Sequence, residues 1–186
     1  MQHSFKATFE NVSIKPLDRN EIDNLRLWRN DPENTAYLRK IPYINREMQE
    51  KWFSSYLKND DELMFSIYET VTLNRMVGSL SLYDFEDHTC FFGKILVGDK
   101  EAHGKKIGKK ATICGLDVAF RLLKMNKVYL YVFKENIPAV KAYEGAGFTV
   151  VDIHNGFNGI VEYTMVMDKG KWEGTSYAQH EQGSNA

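Results

Sequence analysis

Apolar positions recur along this chain with two periods, and the switches between them divide it into elements. Val12, Ile14 and Leu17 sit among polar neighbours in near-alternation and predict a short strand over 12–17. Asn20 offers an N-cap, and Ile22, Leu25 and Trp28 then recur every third residue, predicting a helix that Asp31-Pro32 ends. A second helix is expected from a cap at Asn45, with Met48, Trp52 and Tyr56 four apart and Asn59-Asp60-Asp61 as its stop. The period then drops to two. Residues 63–68, 77–83 and 89–97 read as three strands joined by polar turns at 72–75 and 84–88, an antiparallel meander.

Helical spacing returns with Ile107, Ala111, Cys114 and Val118 on one face and Leu116, Phe120 and Leu123 on another. A helix apolar on two faces is expected to lie buried against a sheet. Residues 127–133 form a β-branched and aromatic strand, and 137–146 a short helix with Pro138 in its first turn and Gly147 as its stop. Residues 148–153 and 161–167 close the pattern as a hairpin around Asn155-Gly156. The order β-α-α-β-β-β-α-β-α-β-β predicts an α/β (mixed α+β) fold, a mostly antiparallel mixed sheet of about seven strands flanked by about four helices. The unit from Phe91 to Phe133 is expected to be a right-handed parallel crossover. Residues 1–168 are read as one domain. Residues 169–186 are read as a polar tail in which Trp172 and Tyr177 are the side chains able to dock.

Composition narrows the function classes. The chain has 186 residues, 43% of them hydrophobic, which suffices for one filled core. Its formal net charge of −1 argues against a nucleic-acid partner. Cys90 and Cys114 are isolated and make no disulfide framework, so a reducing compartment is expected. No apolar run has the length of a membrane span, and the first seventeen residues lack a signal-peptide core; a cytoplasmic protein is expected. The five His are scattered and neither Cys has a partner at ligand spacing, so no metal is expected.

Two segments carry chemistry. The loop His103-Gly104-Lys105-Lys106-Ile107-Gly108 lies between a strand and the buried helix. Free amides at a helix start attract anions, glycines let backbone approach a phosphate, and Lys105, Lys106, Lys109 and Lys110 add positive charge. A glycine turn followed by a solvated basic face accounts for the same residues equally well. The second segment is more specific: Asn136, Ala139, Tyr143 and Gly147-Phe148 behind a strand. Seven positions separate Asn136 from Tyr143, so both fall on one side of a helix with small Ala139 between them. Read singly, Asn136 is an N-cap and Tyr143 a core aromatic.

Together the two segments and the element order resemble the GNAT N-acetyltransferase superfamily over nearly the whole chain to about residue 168. That resemblance implies a splayed sheet and acetyl-CoA as acyl donor. It implies that the amides of His103, Gly104, Lys105, Lys106, Ile107, Gly108 and Lys109 hold the pyrophosphate and that Leu96-Val97 pairs with the pantetheine arm. Asn136, Ala139 and Tyr143 would line the rest of the coenzyme site. The amine must attack as a neutral species and the thiolate then needs a proton. A tyrosine hydroxyl stays protonated at neutral pH, which makes Tyr143 the expected general acid. An amide at or near Val97 would polarise the carbonyl.

Two positions depart from the family pattern. Lys106 stands where the loop has its middle glycine, and the strand 89–97 lacks the glutamate that many relatives use as base, with Phe91 at that position. Water is the expected base, with Glu86, Asp87, His88 and Glu162 as other candidates. The Trp28-Arg29-Asn30 element resembles the RimJ/RimL-like branch, and the stretch from Tyr131 to Tyr143 is similar to PseH-type enzymes, which acetylate the 4-amino group of a UDP-linked amino sugar. A small-molecule amine is the expected partner, and the PseH likeness implies a nucleotide sugar. Trp28, Arg29, Tyr83 and Phe91, with Tyr37, Arg39 and Tyr43, are the candidate acceptor-side residues. The alternatives are a peptide N-terminal acetyltransferase, another small-amine acetyltransferase, or a non-catalytic coenzyme A sensor. Either a monomer or a homodimer is compatible with the sequence.

Overall fold

Alternation along the strands sorts side chains to two faces of one sheet, and each face recruits its own helices. A computed structural model describes residues 3–38, 41–156 and 159–178. Its strands are β1 (Ala7–Phe9), β2 (Val12–Pro16), β3 (Glu62–Glu69), β4 (Arg75–Glu86), β5 (Thr89–Val97), β6 (Lys127–Phe133), β7 (Thr149–Asn155) and β8 (Val161–Asp168). Its helices are α1 (Ile22–Asn30), α2 (Arg46–Tyr56), α3 (Ile107–Asp117), α4 (Ile137–Ala146) and α5 (Lys169–Glu173). The sheet runs β1-β2-β3-β4-β5-β6-β8-β7. The β5–β6 pair is parallel and every other neighbouring pair is antiparallel.

One face carries Phe65, Leu80, Leu82, Phe92, Val128, Leu130 and Met165, which form the main core with Ile107, Ala111 and Cys114 of α3 and Val140 and Tyr143 of α4. A smaller core, with Met64 and Met76 from the sheet, is covered by α1 and α2 through Ile22, Leu25, Phe53 and Tyr56. The two apolar faces expected for α3 are real. Gly115 lets the helix approach so closely that an added Cβ would lie 2.7 Å from the Phe92 ring. Beyond Asp117 the helix widens into a π-turn, Leu123 N–H donating to the Val118 carbonyl, and Phe120 stacks on Trp172 at 5.8 Å.

The feature that positions the site is where β5 and β6 part. They pair only at Thr89–Lys127, Cys90–Val128 and Phe91–Tyr129. The register between β4 and β5 slips between Ser79 and Ser81, and nearby Lys94 takes a left-handed φ of 50°. A bulge of this kind bends the strand. Residues 92–97 of β5 thus leave β6 behind, and α3 and α4 flank the opening.

The structure departs from the sequence reading at its edges. It has one more strand and one more helix than expected, because β1 spans three residues and α5 five, too short to show a period. Asp18, not Asn20, caps the entry to α1: it accepts from Asn20 N–H at the start of a 3-10 turn, Arg19–Glu21, and Glu21 accepts from Asp18 N–H in return. Glu21 is buried and also accepts from the Ser66 and Tyr68 hydroxyls, a tertiary contact no local pattern announces. Strand β4 continues to Glu86, so the turn shrinks to Asp87-His88, both at positive φ. Trp172 is buried, and the Tyr177 hydroxyl donates to the Gly145 carbonyl at 3.0 Å, so residues 169–178 dock on the body. Residues 179–186 lie outside the described residues.

Candidate active site

A groove of about 780 Å³ lies at the opening between β5 and α4. Its walls are Ile95, Leu96 and Val97 of β5, the start of α3, and Asn136, Ala139 and Tyr143 of α4, with Glu33, Asn34 and Tyr37 from the chain after α1. Of the residues expected at the coenzyme, Leu96, Val97, His103, Gly104, Lys106, Ile107, Gly108, Lys109, Asn136, Ala139 and Tyr143 line this groove. Lys105 does not: it is exposed and its Nζ reaches Thr72 Oγ1 at 3.5 Å. Lys110 is held away by Glu10 at 2.8 Å.

The loop before α3 is built to present backbone. Asp99 accepts from Glu101 N–H and caps the turn Lys100–Ala102, and His103 Nε2 lies 2.9 Å from the Val97 carbonyl, tying the loop to β5. Lys106 occupies the helix-start position with φ 58° and ψ 22°, the left-handed conformation a glycine would adopt freely, and its side chain makes no cap. That conformation costs an L-residue roughly 1–2 kcal/mol. The first amides of α3 therefore face the groove without a side-chain acceptor. Gly104 and Gly108 have open space where a Cβ would stand. This set of donors, bare backbone and lysines fits a pyrophosphate at a helix N-terminus.

On α4, both local roles of the second motif are present along with the groove-facing one. Asn136 Oδ1 accepts from Ala139 N–H at 3.3 Å and caps the helix. Gly147 closes it at φ 107°, with Phe148 N–H donating to the Tyr143 carbonyl. Tyr143 packs edge-on to Phe92 and Phe148, both at 6.1 Å. Burial pushes its hydroxyl well above the ordinary tyrosine value, and Tyr83 close by adds to this, so it remains a protonated donor. Cys90, by contrast, is fully buried and its thiol is pushed up to about 12, which removes it as a nucleophile.

A second cavity, of about 410 Å³, shares Leu96 with the groove. It is bounded by Leu25 and Arg29 of α1, Met48, Gln49 and Trp52 of α2, Ile41, Pro42 and Ile44 between them, and Glu62, Met64, Ser79 and Lys94 of the sheet. Arg29 Nε is buried and has no hydrogen-bond partner among the described residues, and burial pulls the guanidinium below its ordinary value. Trp28 lies outside both cavities. Its ring packs on Gly98 so tightly that a Cβ there would sit 2.1 Å from it, and it braces the corner where β5 ends. Tyr83 and Phe91 stack at 5.9 Å in an aromatic row that continues to Tyr129 and Tyr131, with Lys94 Nζ 4.8 Å above Tyr83. Tyr43 is exposed and lines neither cavity, and Arg39 lies outside the described residues.

None of the expected side-chain bases reaches either cavity. Glu86 at the end of β4 and Asp87 and His88 in the turn after it are exposed, and Glu162 lies under Gly156 with its carboxylate 3.8 Å from His154. Glu62, Gln49 and Lys94 were missed from sequence. The available signal was the parity of β3, where Glu62 shares a face with Met64 and Ser66. Among the described residues no cluster of His, Cys, Asp and Glu could hold a metal, and no helix is long and apolar enough to cross a membrane.

The comparisons agree with this geometry. The family model described as an acetyltransferase (GNAT) domain matches residues 11–149. The chain is 30% identical over 147 residues to a probable N-acetyltransferase, YjcK, of Bacillus subtilis, covering 74% of this chain and 80% of that one. It is 24% identical over 136 residues to acetyltransferase PseH of Campylobacter jejuni, covering 73% and 82%. The spermidine N-acetyltransferase of Vibrio cholerae, solved with CoA and spermine, superposes with a TM-score of 0.77 at 21% identity, covering 87% of this chain and 98% of that one. With its splayed sheet, its amide-lined groove and a family match over most of its length, the chain belongs to the GNAT acetyltransferases, enzymes that take their acyl group from acetyl-CoA.

Proposed function

We propose that this enzyme acetylates the primary amine of an acceptor that also carries an anionic group, and that the acceptor is a UDP-linked amino sugar acetylated at its 4-amino group. Arg29 carries this reading: a guanidinium whose Nε is buried with no partner among the described residues, in the cavity that shares Leu96 with the groove. A buried donor left unmade costs about 1–3 kcal/mol, and a diphosphate would satisfy a guanidinium in bidentate fashion. Among the described residues, the charged ones of that cavity are Arg29, Lys94 and Glu62. Lys94 and Glu62 pair with each other at 2.7 Å, which leaves Arg29 to set the sign. A polycation would therefore meet a positive wall, an argument against spermidine despite the resemblance to spermidine acetyltransferases. Similarity to PseH supports the sugar. The reduced, buried Cys90 and Cys114 suit a cytoplasmic setting.

In this reading the amides at the start of α3 hold the pyrophosphate, and the free edge of β5 at Leu96-Val97 takes the pantetheine arm. The neutral amine attacks the thioester carbonyl, polarised by an amide at or near Val97. Tyr143 protonates the departing thiolate. The test is coenzyme A release with a UDP-4-amino sugar, spermidine and an N-terminal peptide offered separately. The sugar nucleotide should give the highest kcat/KM, and a higher value for spermidine or the peptide refutes the assignment.

A further inference from the structure

An amine whose pKa lies above neutral arrives at pH 7 mostly as the ammonium. Direct transfer therefore needs a proton acceptor beside the acceptor nitrogen. Glu62 is the one carboxylate among the described residues lining the second cavity. It is 8% exposed, on the first residue of β3. Its Oε1 accepts from Lys94 Nζ and from Ser81 Oγ, both at 2.7 Å. Tyr56 of α2 is close enough to feel its charge, and Arg29 of α1 lines the same cavity. Lys94 stands two residues before Leu96, which cavity and groove share, a span of about 7 Å along a strand. Its Nζ is a primary ammonium held at a buried carboxylate beside the acyl groove, the arrangement an acceptor needs.

We infer that Glu62 is the base that takes the first proton from the acceptor ammonium, with Lys94 as the resting counterion that the substrate displaces. The inference rests on the acetyl-transfer reading above. The ammonium gives one proton to the Glu62 carboxylate. The freed lone pair forms the C–N bond as the C–S bond breaks. Tyr143 gives its proton to the thiolate and recovers one from the nitrogen. Glu62 then releases its proton to water through the mouth of the cavity. Ammonium and thioester thus become amide, thiol and one proton.

The experiment compares wild type, Glu62→Gln and Lys94→Met on whichever amine of the three-acceptor panel the wild type acetylates. A different acceptor would remove the sugar assignment and leave the Glu62 result to be read on its own. Glu62→Gln should lower kcat about 100-fold near neutral pH. That deficit should shrink as pH rises toward the pKa of the amine, because solution then supplies the neutral amine. The KM for acetyl-CoA should not move. Lys94→Met should lower the KM for the amine, since the competing ammonium is gone, and should lose far less kcat than Glu62→Gln. A Glu62→Gln deficit that is the same at every pH, or a Lys94→Met loss as deep as that of Glu62→Gln, overturns the inference in favour of a structural ion pair. Should Glu62→Gln fail to fold, the Lys94→Met result and the pH profile of Glu62→Asp decide.

Discussion

Replacing Arg29 by methionine should move stability and acceptor binding in opposite directions. The Nε of Arg29 is buried with no partner among the described residues and burial already disfavours the charge, so the unliganded fold carries the cost of an unmade hydrogen bond. That cost is about 1–3 kcal/mol. Methionine keeps an unbranched apolar stem in the wall of a cavity lined also by Leu25 and Met48 and removes the orphaned donor. Part of the relief is offset by poorer filling of the cavity, so a net gain of about 1 kcal/mol is expected, a rise in Tm of about 2–4 °C for a chain of this size. Binding should go the other way. A hydrogen bond to a charged group contributes about 1.5–3 kcal/mol, and its loss should raise the KM for a nucleotide sugar about 10- to 100-fold, with kcat and the KM for acetyl-CoA unchanged. Thermal denaturation and steady-state kinetics on the same preparations measure both. A variant that melts lower than wild type and binds the acceptor equally well would show that Arg29 supports the fold, and the anionic-acceptor argument would fail.

Tyr143→Phe keeps the ring against Phe92 and Phe148 and removes only the hydroxyl. Its kcat should fall about 10²- to 10⁴-fold with acetyl-CoA affinity retained; an unchanged transfer rate defeats the general-acid role. At Gly108 a Cβ meets nothing within 4 Å, so Gly108→Ala should fold normally and gain up to about 1 kcal/mol of helix propensity. Calorimetry should nonetheless show weaker acetyl-CoA binding, and undiminished affinity would mean that the groove wall is not in contact with the coenzyme. Glu69 accepts from the N–H groups of Leu73, Thr72 and Val71, the Thr72 hydroxyl and Asn11, bonds that hold its carboxyl at about 2, below its ordinary 4.5. The folded state thus binds its proton less readily than the unfolded chain, so this stabilisation is present above about pH 4.5 and disappears as pH falls toward 2. Glu69→Gln should melt lower than wild type at pH 7, and the two curves should converge in acid.

Most of the fold was legible because its signals are local. Periods of two and near four mark β3 to β6 and α1 to α4, and the spacing of Asn136, Ala139, Tyr143 and Gly147 lies within one helix and its caps. The groove is likewise assembled from contiguous segments, which is why the positions expected to hold the coenzyme, apart from Lys105, line one cavity. Lys105 failed because a run of lysines says nothing about which side chain points inward; the turn of the chain directs it to Thr72.

The second cavity was not legible in the same way. Its cavity draws Arg29 from α1, Gln49 from α2, Glu62 from β3 and Lys94 from β5, residues up to 65 positions apart (94 − 29) that share no motif. By itself, the sequence determined the element order, the amide-rich helix start and the placement of Tyr143, since backbone geometry and helical spacing act over a few residues. Tertiary structure decided which charges stand together. The bulge at Lys94 and the three-residue pairing of β5 with β6 open the sheet. Packing of α1 and α2 over β3 buries the Arg29 Nε with no partner among the described residues and sets Glu62, paired with Lys94, in the wall of the same cavity.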